Sequence, residues 1–208
     1  TKDDATNNTG CCNGRTSKGG GEDLPAVKDE EYLWCLDDYL SGLRFELSGT
    51  NFPNSLYKSY TNTWDELDKT LKDKTEFCSN MKTSNPWKDE IRLMTDSLPT
   101  EKEKIGRIYD FVKKHVRWND SYSFYGENPK EAAKNGVGNN AQINFLLMSA
   151  LKDAGIKSYP ILISRRSLGR LPLTSPSLNK LNTFLVCAET SDSSYYYMDG
   201  SATYGGLN

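Results

Sequence analysis

The sequence predicts an α+β fold in which a central helix packs on an antiparallel sheet. The stretch GVGNNAQINFLLMSALKDAGI, residues 136–156, contains a long apolar segment that Gly155 ends. Helical spacing of apolar residues dominates before this glycine, whereas strand-like stretches fill most of residues 157–200. No segment of helix length separates those stretches, so their strands are expected to pair antiparallel and to pack on the helix.

Composition limits the classes of function. Hydrophobic residues make up 36% of the 208 and are sufficient for a core, while the formal net charge of −2 argues against a nucleic-acid partner. No apolar run approaches the ~18 residues of a membrane helix, so no transmembrane segment is expected in this stretch. The five cysteines are odd in number and lack a C-x-x-C pair. We therefore expect no metal site and no cofactor.

Three regions are predicted along the chain. Residues 1–25 are polar and Gly-rich and indicate a linker or loop. Residues 26–98 are interpreted as the end of a preceding β-rich module plus connecting helices. In that region, residues 39–49 alternate like a half-buried strand, Trp64 to Phe77 indicates one helix, and a second, short helix follows around Ile91 and Met94.

Residues 99–208 form the third predicted region. Thr100 and Glu103 suggest a capping box for a helix whose apolar repeat runs to Trp118, and a short helix at 128–136 ends at Gly136. The central helix follows, and its apolar residues extend over most of its circumference. Strands are expected at 157–164, 182–189 and 194–200, with a long basic loop over 165–181 that is typical of a functional or disordered segment.

The start of the central helix is a favourable position for a cysteine nucleophile, because the positive end of the helix dipole stabilises a thiolate. Asn139 and Asn140 stand there instead. Both are good N-caps, so a purely structural role is the alternative reading.

Four stretches resemble the transglutaminase-like domain of the papain-like cysteine enzyme superfamily. They are EKIGRIYDFVKKHVRW, the stretch from Gly136 to Ser164, the RRSLG loop leading to LNTFLV, and YYYMDGSATYGGLN. The resemblance implies a Cys-His-Asp triad whose positions fall on Asn140, Thr183 and Asp199. Only Asp199 keeps the identity usual in the family, and it has the alternative role of closing a turn with Gly200.

The resemblance extends to a bacterial group in which the motif reads roughly G-N-x-A-E-I-N and follows a β-rich domain. It implies a pseudoenzyme, because neither asparagine nor threonine supplies the chemistry of a nucleophile and its base. A periplasmic, cell-envelope or secreted location is expected from this context, with the cytoplasm left open.

Other residues are weaker candidates. Arg165, Arg166 and Arg170 suit a carboxylate or sugar-acid ligand, with solvated loop arginines as the alternative, and Asn144 and Trp118 are further binding candidates. His115, the only histidine, is interpreted as a solvated surface residue. Cys35, Cys78 and Cys187 are interpreted as buried small hydrophobes, and adjacent Cys11 and Cys12 are a weak signal for metal binding or oxidation.

Three hypotheses for function follow. The first is a non-catalytic transglutaminase-like domain that binds a peptide, glycan or protein partner in a vestigial cleft. The second is a purely structural module. The third is an active cysteine hydrolase or acyl transferase whose chemistry has moved to a cysteine outside the motif.

Overall fold

The computed structural model describes residues 26–28, 30–40, 47, 49–59, 63–73, 75–125, 127–171, 176 and 178–204. The predicted linker, Cys11, Cys12 and most of the strand proposed over 39–49 lie outside these residues. The described helices are α1 (Trp64–Asp73), α2 (Thr75–Met81), α3 (Lys88–Thr95), α4 (Glu101–His115), α5 (Pro129–Asn135) and α6 (Asn140–Asp153). The described strands are β1 (Gly49–Thr50), β2 (Lys58–Ser59), β3 (Arg117–Trp118), β4 (Val137–Gly138), β5 (Lys157–Ile163), β6 (Thr183–Glu189) and β7 (Tyr195–Met198).

The central helix is confirmed as α6. Every residue from Asn140 to Leu151 is buried, because α2, α3, α4 and α5 surround it and β5 and β6 pack against it. A helix that is enclosed on all sides needs apolar residues around its circumference, and its sequence has them. The core therefore centres on this helix.

The predicted antiparallel sheet is also confirmed. β6 lies in the middle, with β5 and β7 as its neighbours, and both pairings are antiparallel. Phe184, Val186 and Ala188 alternate along β6 and are fully buried in the core. Tyr195 and Tyr197 alternate on the outer face of β7 and remain about half exposed. The period of two along each strand thus separates a core face from an outer face.

The helix predicted from Trp64 to Phe77 is wrong as one element, because the chain forms two helices there, α1 and α2. Phe77 stands six residues after Leu71, which places it off the apolar face of a continuous helix. In α2 its ring instead packs edge-on against Phe145 of α6 and Phe184 of β6, with centroids 5.4 and 5.8 Å away. Burial of this ring in the core favours a separate helix α2.

The predicted end of α4 is wrong by three residues. The helix stops at His115, and Arg117–Trp118 pair in parallel with Val137–Gly138 as β3 and β4. Val116 continued the helical apolar repeat, yet its backbone is extended and its side chain is still buried. The Thr100 hydroxyl caps α4 by accepting from the N–H of Glu103, so this half of the predicted capping box forms.

The short helix α5 is confirmed, with Gly136 ending it at a φ of +68°. Among its described residues, the basic loop over 165–181 contains 3-10 turns at Arg166–Leu168 and Leu178–Lys180.

The predicted boundary at residue 99 falls between α3 and α4, and both helices contribute to the same core as α6. Within the described part of the chain, no helix has the length and apolar character needed to cross a bilayer.

Candidate functional site

The start of α6 is fixed by a reciprocal cap. The Asn139 side chain accepts from the backbone N–H of Gln142, and the Gln142 side chain accepts from the backbone N–H of Asn139, both at 2.9 Å. Gln142 also donates to the backbone carbonyl of Asn128, which caps α5. This network leaves Asn140 as the first residue of the helix.

Asn140 contacts Thr183, and the resemblance assigned both positions to a triad. Its side-chain nitrogen donates to the Thr183 hydroxyl, and its side-chain oxygen accepts from the backbone N–H of Ser123 at 2.7 Å. Asn140 is completely buried and Thr183 is 2% exposed. Both ends of the amide are therefore engaged by partners inside the protein.

Asp199 lies close to α6, but its partner there is Asn144, one helical turn after Asn140. The Asn144 nitrogen donates to the Asp199 carboxylate at 3.2 Å and to the backbone carbonyl of Phe184 at 2.8 Å. The Asn144 oxygen accepts from the backbone N–H of Gly200 at 2.8 Å. Asn144 was predicted as a binding candidate, and in the structure its buried amide joins α6 to the strands.

The Asp199 carboxylate also closes the turn after β7. One of its oxygens accepts from the backbone N–H and the hydroxyl of Ser201, at 2.9 and 2.7 Å. The turn lies so close to α6 that a Cβ at position 200 would come within 2.8 Å of Ile143. Gly200 therefore permits the approach that brings Asp199 to Asn144, and a turn-closing role for Asp199 coexists with its place in the site.

An aromatic and cationic cluster lies next to the segment that holds Asn140. The guanidinium of Arg165 is centred 3.5 Å from the ring centroid of Tyr122, and the Tyr122 ring packs edge-on against Trp118 at 4.8 Å. Tyr122 directly precedes Ser123, whose backbone holds Asn140. Arg165 and Trp118, both predicted as binding candidates, are thus brought together beside the start of α6.

The other two predicted arginines contact a segment that we call the N-terminal strap, residues 33–38. The Arg166 guanidinium donates to the backbone carbonyls of Leu33 and Trp34 and lies 5.1 Å from the Trp34 ring. The backbone N–H of Arg170 donates to the Asp38 carboxylate at 2.9 Å. Sequence reasoning missed the strap, because its contacts are 132 and 133 residues apart along the chain.

Gly169 allows the strap to dock. Its φ is +73°, a backbone conformation that residues other than glycine rarely adopt. A Cβ there would come within 2.3 Å of the Asp38 carboxylate. The docked strap and the loop after β5 together form the walls of a pocket of about 540 Å³. We call it the strap pocket, and it is lined by Trp34, Cys35, Arg165, Arg166 and Ser167.

The other nucleophilic and basic groups have different surroundings. His115 is exposed, stacks on Phe111 at 3.9 Å and has Nδ1 2.7 Å from the Phe111 carbonyl oxygen. Cys187 is buried as predicted, and burial raises the pKa of its thiol. The expectation that Cys35 and Cys78 are buried is wrong, since both are partly exposed. Cys35 lines the open strap pocket, and the Cys78 thiol donates to the Lys72 carbonyl on the surface.

Part of the chain matches a known family model. Residues 89–166 match the family model described as the transglutaminase-like superfamily. The matched residues run from α3 through α6 to the end of β5 and the first residues of the loop that follows. A comparison with curated proteins finds no match.

Two solved structures are similar to parts of this chain. A "putative protease" of Parabacteroides distasonis is 21% identical and superposes with a TM-score of 0.50 over 60% of this chain and 25% of its own. A "putative cysteine protease" of Cytophaga hutchinsonii is 12% identical, with a TM-score of 0.42 over 67% of this chain and 44% of its own. The chain therefore spans about a quarter of the length of the first and less than half of the second. At 21% identity the likeness to the Parabacteroides structure shows the fold alone.

Proposed function

We propose that this transglutaminase-like domain is a non-catalytic binding module that holds a peptide, glycan or protein partner beside the start of α6. The observation that carries the proposal is the buried hydrogen bond between Asn140 and Thr183. An asparagine amide is not a nucleophile, and a threonine hydroxyl does not accept a proton near neutral pH.

The hydrogen bonding of the pair adds support. A catalytic nucleophile must reach a reacting atom, whereas the Asn140 amide is engaged at one end by Thr183 and at the other by the backbone of Ser123. Replacement of these partners by a substrate would require breaking buried hydrogen bonds, at a cost of about 1–3 kcal/mol for each group left unpaired. The pair is suited to holding the helix, the strand and the 121–123 segment together.

The alternative of relocated chemistry has less support. A cysteine nucleophile at neutral pH is normally activated by an adjacent base, most often histidine. The chain's one histidine stacks on Phe111 of α4, and Trp87 is its other ring neighbour. Of the three cysteines in the described ranges, Cys35 is the one that lines the strap pocket together with Arg165.

Turnover measurements test the absence of catalysis. The unmodified protein should hydrolyse no peptide amide and should transfer no glutaminyl group to an amine, since the members of a triad act as a unit and two of the three positions lack the required chemistry. Turnover that Cys35→Ser abolishes would show that the chemistry has moved, and the proposal would then be wrong.

Restoration of the family pattern tests the geometry. We expect the introduced thiol in Asn140→Cys/Thr183→His to react with iodoacetamide about tenfold faster at pH 7 than the same thiol in Asn140→Cys alone, because an adjacent imidazole favours the thiolate. Burial slows access of the reagent in both variants, so the ratio of rates isolates the imidazole. Equal rates would contradict the assignment of positions 140 and 183 as a nucleophile and base pair.

A further inference from the structure

We propose that the strap pocket binds a carboxylate group, with Arg165 as its principal anchor. The inference rests on the proposed function, because it names the chemistry of the ligand that the binding module would take. At about 540 Å³ the pocket has the size of a small-ligand site. Its lining residue Arg165 also lies over the ring of Tyr122, which packs against Trp118.

The charge of the pocket favours an anion. Arg165 and Arg166 are consecutive, and both line it, whereas no acidic side chain is among the lining residues that the structure describes. Arg166 donates to two backbone carbonyls, which satisfy hydrogen bonds without cancelling its charge. Asp38, an acidic residue of the strap, accepts from the backbone of Arg170 and lies next to Gly169. Two adjacent cations in an open pocket would be stabilised by a ligand carboxylate.

Arg165 is held in a way that leaves its donors available. Its backbone N–H donates to the side chain of Asn182 at 3.0 Å, and its guanidinium stacks on the face of Tyr122. Stacking uses the face of the guanidinium and leaves the N–H groups at its edge. Within the described ranges, no hydrogen bond or ion pair engages those N–H groups. A planar fork in this state matches the two oxygens of a carboxylate.

The remaining walls suggest how the rest of the ligand would lie. Trp34 presents a 56% exposed indole at the pocket, which offers an apolar face to a sugar ring or to a peptide side chain. Arg165 also lies over the ring of Tyr122, which directly precedes Ser123, the residue that holds Asn140. A ligand anchored on Arg165 by its carboxylate would therefore lie beside the residues that hold the start of α6. A peptide C-terminus and a uronic acid both have this chemistry.

Paired probes test the requirement for a carboxylate. N-acetyl-dialanine is compared with its C-terminal amide, and glucuronate is compared with glucose, by following the indole ¹⁵N–¹H signal of Trp34, assigned with Trp34→Phe. We expect saturable shifts at millimolar concentrations with at least one carboxylate probe and at least tenfold weaker binding of its neutral partner. Binding of the peptide alone or of glucuronate alone identifies the source of the carboxylate. Equal binding within both pairs, or no shift with any probe, would overturn the inference.

Variants test the anchor. Arg165→Gln should weaken binding of the carboxylate probe at least tenfold, and Arg165→Lys should weaken it less, because the charge remains while the planar fork is lost. Arg92→Gln, at an exposed arginine of α3, is the matched control and should change nothing. Unchanged affinity in Arg165→Gln with a native ¹⁵N spectrum would contradict the proposal, and Arg165→Lys provides the same comparison if the glutamine variant fails to fold.

Recovery of the probes separates the two proposals. Mass spectrometry after each titration should return the peptide amide intact. Hydrolysis of that probe would contradict the non-catalytic function while leaving the pocket in place. Absence of any carboxylate-dependent shift would overturn the proposed carboxylate site and leave the non-catalytic function unaffected.

Discussion

The amide of Asn144 connects three parts of the protein from within an otherwise apolar helix. It bonds to the backbone of β6 at Phe184, to the carboxylate of Asp199 and to the backbone of Gly200. A polar group in the core costs free energy unless all its hydrogen bonds are made, and here each end of the amide has a partner. Asn144 therefore fixes the position of the turn after β7 relative to α6.

Asn144→Leu should lower the free energy of unfolding by about 3 kcal/mol, since each buried group left unpaired costs roughly 1–3 kcal/mol. Urea denaturation measures this value. Asn135→Leu, at an exposed position near the end of α5, is the matched control and should change stability by about 0.5 kcal/mol or less. Similar losses in the two variants would show that the Asn144 hydrogen bonds contribute little.

Individual residues differed in how well the sequence predicted them. The contact between Asn140 and Thr183, 43 positions apart, followed from the resemblance to a family and from no local pattern. The partners of Asn144 were not predicted, although an asparagine inside an apolar stripe signals a buried hydrogen-bonding role. Arg166 and Arg170 were read as open to a ligand, and their contacts with the strap depend on distant residues that no local pattern reveals.

At the scale of elements, the two ends of the capping network at α6 should be energetically coupled. Asn139→Ala and Gln142→Ala should each cost about 1 kcal/mol, a typical value for loss of a cap. The double variant should cost about 0.5 kcal/mol less than the sum, because each bond holds the backbone that the other needs. Additive costs, measured by urea denaturation, would contradict a shared network.

The matched control for this coupling is the start of α4. There the Thr100 hydroxyl accepts from the Glu103 N–H, while the Glu103 side chain makes no return bond to Thr100 among the described contacts. The costs of Thr100→Ala and Glu103→Ala should therefore add within about 0.3–0.5 kcal/mol.

Elements with strong local signals were predicted well, and their ends less well. α5 and α6 have caps and glycines at their ends, and the strands of the sheet alternate between core and surface, so their positions followed from sequence. The break between α1 and α2 depends on the packing of Phe77 against Phe145 and Phe184. These residues are distant in sequence, so no local pattern predicts the contact. The end of α4 depends on pairing of Arg117 with Val137, which is equally non-local.

At the scale of the whole molecule, Tyr109 joins α4 to the end of the sheet. Its hydroxyl donates to the backbone carbonyl of Asp199 at 3.1 Å, across 90 residues of chain. Burial raises the pKa of Tyr109, and the nearby carboxylates of Asp199 and Asp110 raise it further. The neutral phenol is thus favoured in the folded state.

This shift predicts loss of stability at alkaline pH. A group whose folded-state pKa is raised stabilises the fold fully below its unfolded-state pKa, about 10 for tyrosine, and that contribution is lost as pH rises through the folded-state value. Tyr109→Phe should cost about 1 kcal/mol near neutral pH through the missing hydrogen bond. The difference in unfolding free energy between the parent protein and this variant should shrink as pH rises above about 10.

Urea denaturation over a pH series measures the difference between parent and variant. Tyr204→Phe, at a side chain that is 92% exposed, is the control and should follow the parent protein at every pH. If the loss of unfolding free energy in Tyr109→Phe stays constant through the alkaline range, ionisation of this hydroxyl is not coupled to folding.

The enclosure of α6 has a consequence for the dynamics of the chain. Since helices and strands cover it on every side, its amide groups can meet solvent only when the surrounding elements separate. Amide protons in α6 should therefore exchange with deuterium through global opening, with protection near the full free energy of unfolding. The short strands β1 and β2 lack such cover and should exchange by local fluctuation. The helix whose first turn carries the candidate site is then also the last element to open.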